Sequence, residues 1–162
     1  IEHRLRTHAT SLALPGVMDL LGALEGVPGV TMGLLTGNFP ESGAHKLRAA
    51  GIEPERFTVC AWGDDSPHDP PSRDHLPPVA MRRYRERFGV DVAPERVTII
   101  GDTPHDVRCA KAHGCRVLGV GTGIFTAEQL LAEGADSAVE TLEDTRGVVR
   151  WLIEPMRQAA AV

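Results

Sequence analysis

The chain has 162 residues, of which 42% are hydrophobic and 24% are charged, enough for one globular domain with its own core. Its formal net charge of −5 argues against a protein that binds nucleic acid by neutralising phosphates. There is no apolar run long enough to cross a bilayer and no opening signal peptide, so we expect a cytoplasmic protein without membrane contact. Three cysteines without C-x-x-C spacing are expected to be reduced and mostly buried: Cys60, Cys109 and Cys115.

The first half of the chain alternates predicted helices and strands. Apolar residues at helical spacing predict a helix that begins after Pro15-Gly16 and ends at Gly26. A stretch rich in Asp, His, Pro and Ser, 62–78, is expected to be a surface loop. The other elements predicted here are a strand at Val30–Leu35 that is buried on both faces, a helix at Pro40–Ala50, a strand at Phe57–Ala61, and a helix at Pro78–Phe88 with Met81, Tyr84 and Phe88 facing inward.

The second half repeats the alternation. Its predicted elements are a strand at Val97–Ile100, a helix at Pro104–Ala112, a strand at Arg116–Val120, a helix from the Thr126 and Gln129 capping box to Ala132, a weak strand at Ser137–Val139, and a helix from about Leu142 to Ile153 that stops at Pro155. This order predicts a parallel sheet with helices on both faces, which is a three-layer α/β architecture.

Polar residues follow three of the predicted strands. Thr36-Gly37-Asn38 follows the first strand, Asp102 and Asp106 follow the third, and Gly121-Thr122-Gly123 follows the fourth. Parallel strands bring their carboxyl ends to one edge of the sheet, where α/β folds bind ligands. The hydroxyl, amide and side chain of the first segment suit an anionic oxygen, although a plain turn before a helix explains the same residues.

The two acids lie one helical turn apart. Mg²⁺ prefers carboxylate oxygens and usually takes one or two of them together with water and phosphate, which suits Asp102 and Asp106. Helix initiation is the alternative, because Thr103 is a good N-cap, Pro104 a good first helical residue, and Asp106 a favourable acid near the positive end of the helix dipole. The motif alone leaves both interpretations open.

The whole order resembles the haloacid dehalogenase (HAD) superfamily of aspartate-nucleophile phosphohydrolases, from Pro15 to about Ile153. Segment 34–38 resembles the second motif of the family, whose hydroxyl residue binds the transferred phosphoryl group. Segment 99–106 resembles the fourth motif, whose acids bind Mg²⁺, and segments 110–115 and 120–123 continue the resemblance. The resemblance implies a Rossmann-like core at 15–162, preceded at 1–14 by the end of a helical cap and a linker.

The third motif of this family supplies a Lys or Arg that neutralises the nucleophile and the phosphoryl group. The usual Lys-Pro-x-Pro is absent, and Arg73, just before Leu76-Pro77-Pro78, is the predicted counterpart, with Arg82 and Arg83 as alternatives. His105, beside the acids, either contacts substrate or, more simply, faces solvent. The loop also holds four residues that suggest a second metal site or, as we prefer, a solvated loop: His68, Asp69, Asp74 and His75.

The chain departs from the family at the first motif. No D-x-D occurs in it, so the nucleophile, its partner acid and the central strand that carries them are expected to be missing. Ile1 in place of Met favours a fragment of a longer hydrolase, and the competing interpretation is an incomplete domain that serves as an interaction module. A sheet without its middle strand would leave two unpaired apolar edges and promote self-association.

For the complete protein, the resemblance implies a Mg²⁺-dependent phosphoric monoester hydrolase that acts on a small phosphorylated metabolite through an aspartyl-phosphate. Mg²⁺ held by Asp102, with support from Asp106, would offset the repulsion between carboxylate and phosphate. Thr36, the Gly37 amide and Arg73 would hold the equatorial phosphoryl oxygens. The dehalogenase branch releases halide without Mg²⁺ and fits less well, because the metal-binding acids are intact.

Overall fold

The computed structural model describes residues 12–160, in which helices and strands alternate as the sequence predicts. In chain order they are α1 (Val17–Glu25), β1 (Gly33–Leu35), α2 (Pro40–Ala49), β2 (Val59–Ala61), α3 (Leu76–Phe88), β3 (Thr98–Gly101), α4 (Pro104–Ala112), β4 (Arg116–Val120), α5 (Ala127–Ala132), β5 (Ser137–Val139) and α6 (Thr145–Ala160). Of the cap end and linker predicted at 1–14, residues 1–11 lie outside the described part of the chain. Residues 12–14 are described and are not helical.

The strands form two parallel sheets. β1 pairs with β2, and the other three strands pair in the order β3-β4-β5. Within residues 12–160, β1 and β3 do not pair with each other, so each has one edge without a neighbouring strand. A parallel sheet that lacks its central strand divides in this way, so the predicted single sheet is present as two parts.

Helices cover both faces of β4. Leu118 packs on one side with Leu20 of α1 and Val148 of α6. On the other side, Val117 packs with Leu130 of α5. Successive side chains of a strand point to opposite faces, so one strand supports two helical layers. The predicted arrangement of helices on both sides of a parallel sheet is therefore confirmed.

α3 begins earlier than predicted, and the residues that it buries differ from those predicted. It begins at Leu76, within the predicted loop, and Pro77 occupies one of the first positions, where the missing N–H costs nothing. Leu76 and Val79 are its buried apolar residues, so the inward face lies nearer the N-terminus than we predicted. Of the three residues predicted to face inward, Met81 and Tyr84 are only partly buried, and Phe88 is 44% exposed.

β1 is shorter and more exposed than predicted. It begins at Gly33 rather than Val30, and Gly33 is exposed. The prediction of a strand buried on both faces is wrong, because in the described part of the chain only β2 lies beside β1. The same lack of a neighbour leaves Ile100 of β3 38% exposed.

α6 runs through Pro155, where the sequence predicts a stop. A proline has no N–H to donate to the carbonyl four residues earlier, which here belongs to Trp151. Arg116 of β4 supplies the replacement, since its Nη2 donates to the Trp151 carbonyl at 3.2 Å. Across residues 12–160, helices fall short of the length and apolar content needed to cross a membrane.

Candidate active site

Thr36 lies just after β1, and its hydroxyl accepts two hydrogen bonds from Asn38. The backbone N–H of Asn38 donates at 3.2 Å and its Nδ2 at 2.9 Å. A hydroxyl has two acceptor lone pairs and one hydrogen. Because Asn38 occupies both lone pairs, the Thr36 hydrogen is free to be donated to a ligand oxygen.

Lys46 on α2 fixes the orientation of the Asn38 amide. Its Nζ donates to Asn38 Oδ1 at 2.7 Å, and an ammonium has only donors, so Nδ2 is left for Thr36. Our sequence reasoning missed Lys46, which shows no signal other than its place two helical turns into α2. These side chains border a cleft of about 140 Å³ that is lined by Leu34, Thr36, Asn38, Gly43, Lys46, Leu47, Ala50 and Trp62.

The loops after β1 and β2 are in backbone contact. The Gly63 N–H donates to the Asn38 carbonyl at 2.8 Å. A Cβ atom at Gly63 would overlap the Gly37 carbonyl, so a glycine is required at this close approach. A Cβ at Gly37 would lie 3.8 Å from Arg73 Cδ, so the stem of Arg73 passes directly beside Gly37.

Arg73 links the loop after β1 to the start of α4. It lies in a 3-10 turn, Arg73–His75, that leads into α3, and its Nη2 donates to Asp106 Oδ1 of α4. The Asp106 side chain is only 4% exposed, whereas that of Arg73 is 35% exposed. Arg73 Nε is buried and has no hydrogen-bond partner among the described residues. The stem of Arg73 therefore lies beside Gly37 in the loop after β1, while its guanidinium is held by Asp106 of α4.

Asp106 has a structural role at the start of α4. Its Oδ2 accepts from the Thr103 backbone N–H at 3.1 Å, and its own backbone N–H donates to Thr103 Oγ1 at 3.3 Å, which together form the capping box of the helix. The Thr103 hydroxyl also donates to Oδ2 at 2.8 Å. Together with Arg73, these donors use three of about four acceptor positions of the carboxylate. Helix initiation and ion pairing thus coexist in one buried acid.

Asp102 is the more accessible acid. It is partly exposed after β3, and a Cβ at Gly123 would lie 2.9 Å from its Oδ2, so the loop after β4 adjoins it. The Thr122 hydroxyl of that loop is buried without a hydrogen-bond partner in the part of the chain that the structure describes. A partly exposed carboxylate with open acceptor positions fits a hydrated Mg²⁺, which takes one or two carboxylates together with water.

The alternative cations do not reach Asp106. Arg83 donates to both carboxylate oxygens of Asp65, at 2.7 and 2.6 Å. Burial raises the pKa of Asp65, but hydrogen bonds from the Trp62 N–H and Arg83 outweigh it and hold this pKa below its usual value. Arg82 is exposed and lies 3.7 Å from Glu86. Of the three candidates, the structure brings Arg73 alone to the predicted acids.

The loop that carries Arg73 holds no metal cluster. The rings of His68 and His75 pack with centroids 4.0 Å apart, and His105 Nε2 lies 3.2 Å from Asp74 Oδ1. Among residues 12–160, no three His, Cys, Asp or Glu side chains are grouped as metal ligands. The second metal site therefore has no support, and His105 contacts an acid of the loop.

All three cysteines are free thiols, two of them buried and Cys60 half-buried. Burial raises the pKa of Cys109 to about 11, so its thiol stays protonated at neutral pH. Cys109 of α4 and His113, the residue that follows α4, both contact the Arg73 turn, a role that our sequence reasoning missed. Their spacing from Asp106, three and seven residues, is the one signal that places them on the same side of α4 as Asp106.

The family described as HAD-hydrolase-like matches residues 76–145. The "Probable phosphatase IndB" of Dickeya dadantii is 31% identical over 146 residues, which cover 90% of this chain and 60% of that protein. The phosphoglycolate phosphatase of Escherichia coli is 33% identical over 130 residues, covering 80% and 48%, respectively. The chain thus spans about half the length of the curated relatives it matches.

The parallel α/β fold is shared with solved structures of the same class. The crystal structure of CbbY from Rhodobacter sphaeroides in complex with phosphate has a TM-score of 0.64 and 26% identity, covering 81% of this chain and 55% of that one. Together with the sequence matches, this places the chain in the haloacid dehalogenase superfamily. The resemblance drawn from the motifs is therefore confirmed.

Proposed function

We propose that the protein carrying this chain is a Mg²⁺-dependent phosphatase that hydrolyses phosphoric monoesters of small metabolites. The observation that carries the proposal is the placement of Arg73, which Asp106 holds beside Gly37 with a buried, unpartnered Nε. This contact brings a cation to the loop after β1, which Thr36 begins. The similarity to two curated phosphatases supports the same reaction class.

Three donors of this chain suit the phosphoryl oxygens. The Thr36 hydrogen is free because Asn38 fills the hydroxyl lone pairs, the Gly37 amide is unhindered, and the Arg73 guanidinium adds positive charge. Charge spreads over the equatorial oxygens in phosphoryl transfer, so fixed donors at these atoms lower the barrier. We assign the binding of the transferred group to these residues and to Asn38, which orients Thr36.

We assign the metal to Asp102, with Asp106 in a supporting place. When bound, Mg²⁺ neutralises charge between an attacking carboxylate and the phosphate. Asp102 is partly exposed, whereas Asp106 is buried and keeps only about one acceptor position beyond its bonds to Thr103 and Arg73. Asp106 thus orients the phosphate-binding cation and helps the metal indirectly.

The proposed nucleophile is an aspartate that these 162 residues do not supply, because the chain has no D-x-D. β1 and β3 each keep an edge without a partner strand in the described residues, and the proposed strand that carries this aspartate would pair with both. Its carboxyl end would place an acid at the same edge of the sheet as Thr36 and Asp102. An aspartyl-phosphate formed there would then be hydrolysed by water.

The test is turnover of p-nitrophenyl phosphate by the protein in its full natural length. We expect activity with Mg²⁺, loss of activity in EDTA, and a large loss of kcat in Asp102→Asn even with excess Mg²⁺. Glu128→Gln on the exposed surface of α5 is the matched control and should behave as the wild type. Equal turnover in EDTA, or halide release from a 2-haloacid without metal, would rule out the proposed reaction.

A further inference from the structure

One face of α4 holds the turn that carries Arg73. Asp106 and Cys109 lie three positions apart on one face of α4, and His113 is the residue that caps the C-terminus of the helix, one turn further on. Asp106 binds the Arg73 side chain, whereas Cys109 and His113 bind the backbone of the turn. The orientation of the guanidinium therefore depends on both its side chain and its main chain being attached to the same helix.

The two backbone contacts are donors to carbonyl oxygens. Cys109 Sγ lies 3.6 Å from the Arg73 carbonyl, and His113 Nε2 lies 2.6 Å from the Asp74 carbonyl. A carbonyl oxygen only accepts, so Nε2 must carry the hydrogen in this contact, whether the imidazole is neutral or protonated. Cys109 is only 3% exposed, and burial keeps its thiol protonated and able to donate.

We propose that His113 is a positioning residue for phosphate recognition, which fixes the turn so that Arg73 meets a phosphoryl group without rearrangement. This inference rests on the proposed function of Arg73. Cys109 assists through the weaker thiol contact. A preorganised cation needs no reorganisation when charge develops on the substrate, so loosening the turn weakens binding of the phosphoryl group.

The first test compares His113→Phe with His113→Gln in the full-length protein. Phe fills the space but donates nothing, whereas the Gln amide nitrogen donates from a place close to that of Nε2. We expect Phe to raise the competitive inhibition constant of inorganic phosphate and the KM for p-nitrophenyl phosphate about fivefold each. Gln should restore both values to within about twofold of the wild type, and exposed His45→Gln on α2 is the matched control.

The second test separates positioning from simple stability. In a double-mutant cycle, His113→Phe should no longer change the phosphate inhibition constant once Arg73 is replaced by Gln. A merely structural role would lower Tm and change the inhibition constant equally in both backgrounds. An unchanged inhibition constant in a folded His113→Phe protein, or equal effects with and without Arg73, would overturn the inference.

A third readout does not depend on activity. Hydrogen exchange of a peptide spanning residues 72–76 should become faster in His113→Phe and return towards the wild-type rate in His113→Gln. If the wild type has no phosphatase activity but exchange responds in this way, the proposed function fails while the attachment of the turn stands. If exchange does not respond, the attachment itself is wrong.

Discussion

At the scale of single residues, the site depends on which hydrogen-bond donors and acceptors already have a partner within the protein. Asn38 fills both acceptor positions of the Thr36 hydroxyl, and Lys46 fills the carbonyl side of Asn38. An exposed ammonium thus controls, through two hydrogen bonds, the direction in which a threonine can donate. Through this chain of hydrogen bonds, Lys46 belongs to the same site as Asn38, which lies eight positions earlier.

Replacing Thr36 by Val tests that donor. Valine keeps the shape of the side chain but has no hydroxyl, so we expect kcat/KM for p-nitrophenyl phosphate to fall about a hundredfold in the full-length protein. Thr36→Ser keeps the hydroxyl and should retain most of the activity. The assignment fails if the valine variant hydrolyses the ester as fast as the serine variant.

Asp136 predicts how stability depends on pH. Burial raises its pKa, but hydrogen bonds from Lys111 at 2.5 Å and the Val117 N–H at 2.7 Å, with the charge of Lys111, hold this pKa below its ordinary value. A depressed folded-state pKa stabilises the protein above the unfolded value, and this stability is lost as pH falls through the folded value.

We therefore expect Asp136→Asn to lower Tm by a few degrees at pH 7 and by progressively less below about pH 4. Thermal melts across pH 3 to 8 measure the difference. Asp91→Asn, at a side chain that is 82% exposed, is the control and should follow the wild type throughout. A destabilisation of Asp136→Asn that stays constant over the whole range would contradict the assignment.

At the scale of elements, Arg116 allows α6 to continue past its proline. Its guanidinium lies 4.0 Å from the Trp151 ring centroid and donates to the carbonyls of Trp151 and Leu152, at 3.2 and 3.4 Å. Arg116→Met should lower the free energy of unfolding by about 1–2 kcal/mol, as measured in denaturant. Pro155→Ala returns an N–H to the helix, so the arginine substitution should cost less in that background; an equal cost would disprove the explanation.

Elements with local signals could be predicted from the sequence. The capping box of Thr126 and Gln129 forms as expected, with hydrogen bonds of 2.9 and 3.2 Å between residues three apart. Features set by distant contacts could not be predicted. The continuation of α6 depends on an arginine of β4, and the shortening of β1 reflects the lack of a second neighbouring strand in the described residues. Neither feature is encoded in the local sequence pattern.

The residues of the site also divide into those with a local sequence signal and those placed by contacts that the sequence does not show. The motifs drew attention to Thr36, Asp102 and Asp106, because these residues follow the ends of predicted strands. The choice of Arg73 over two other arginines was weaker from the sequence, since the contact to Asp106 spans 33 positions and depends on how a 3-10 turn packs on α4. Lys46 and His113 were missed, because each acts through a single side-chain contact, with Asn38 and with the Asp74 carbonyl, that no motif indicates.

At the scale of the whole molecule, the most consequential feature is the division of the sheet. Besides the outer edges of β2 and β5, one edge of β1 and one edge of β3 are unpaired in the described residues, and Ile100 of β3 is 38% exposed. Unpaired backbone groups beside apolar side chains are templates for pairing with another chain. A protein that inserts a strand here gains both backbone hydrogen bonds and buried area.

We therefore expect the 162-residue chain, when produced alone, to associate with itself in a concentration-dependent way, and the full-length protein not to do so through this edge. Sedimentation velocity over a tenfold concentration range measures the association. Ile100→Lys places a charge on the free edge and should reduce association of the isolated chain. The same change should lower the Tm of the full-length protein, where an inserted strand would pack beside that residue.

The control is Ile124→Lys, which makes the same change in a loop at a side chain that is 94% exposed. It should leave both association and Tm unchanged, because Ile124 belongs to neither strand edge. If the isolated chain is a monomer with a sharp cooperative melt, its edges need no further strand. If both lysine variants act alike, exposed apolar surface in general, rather than the gap between β1 and β3, drives the association.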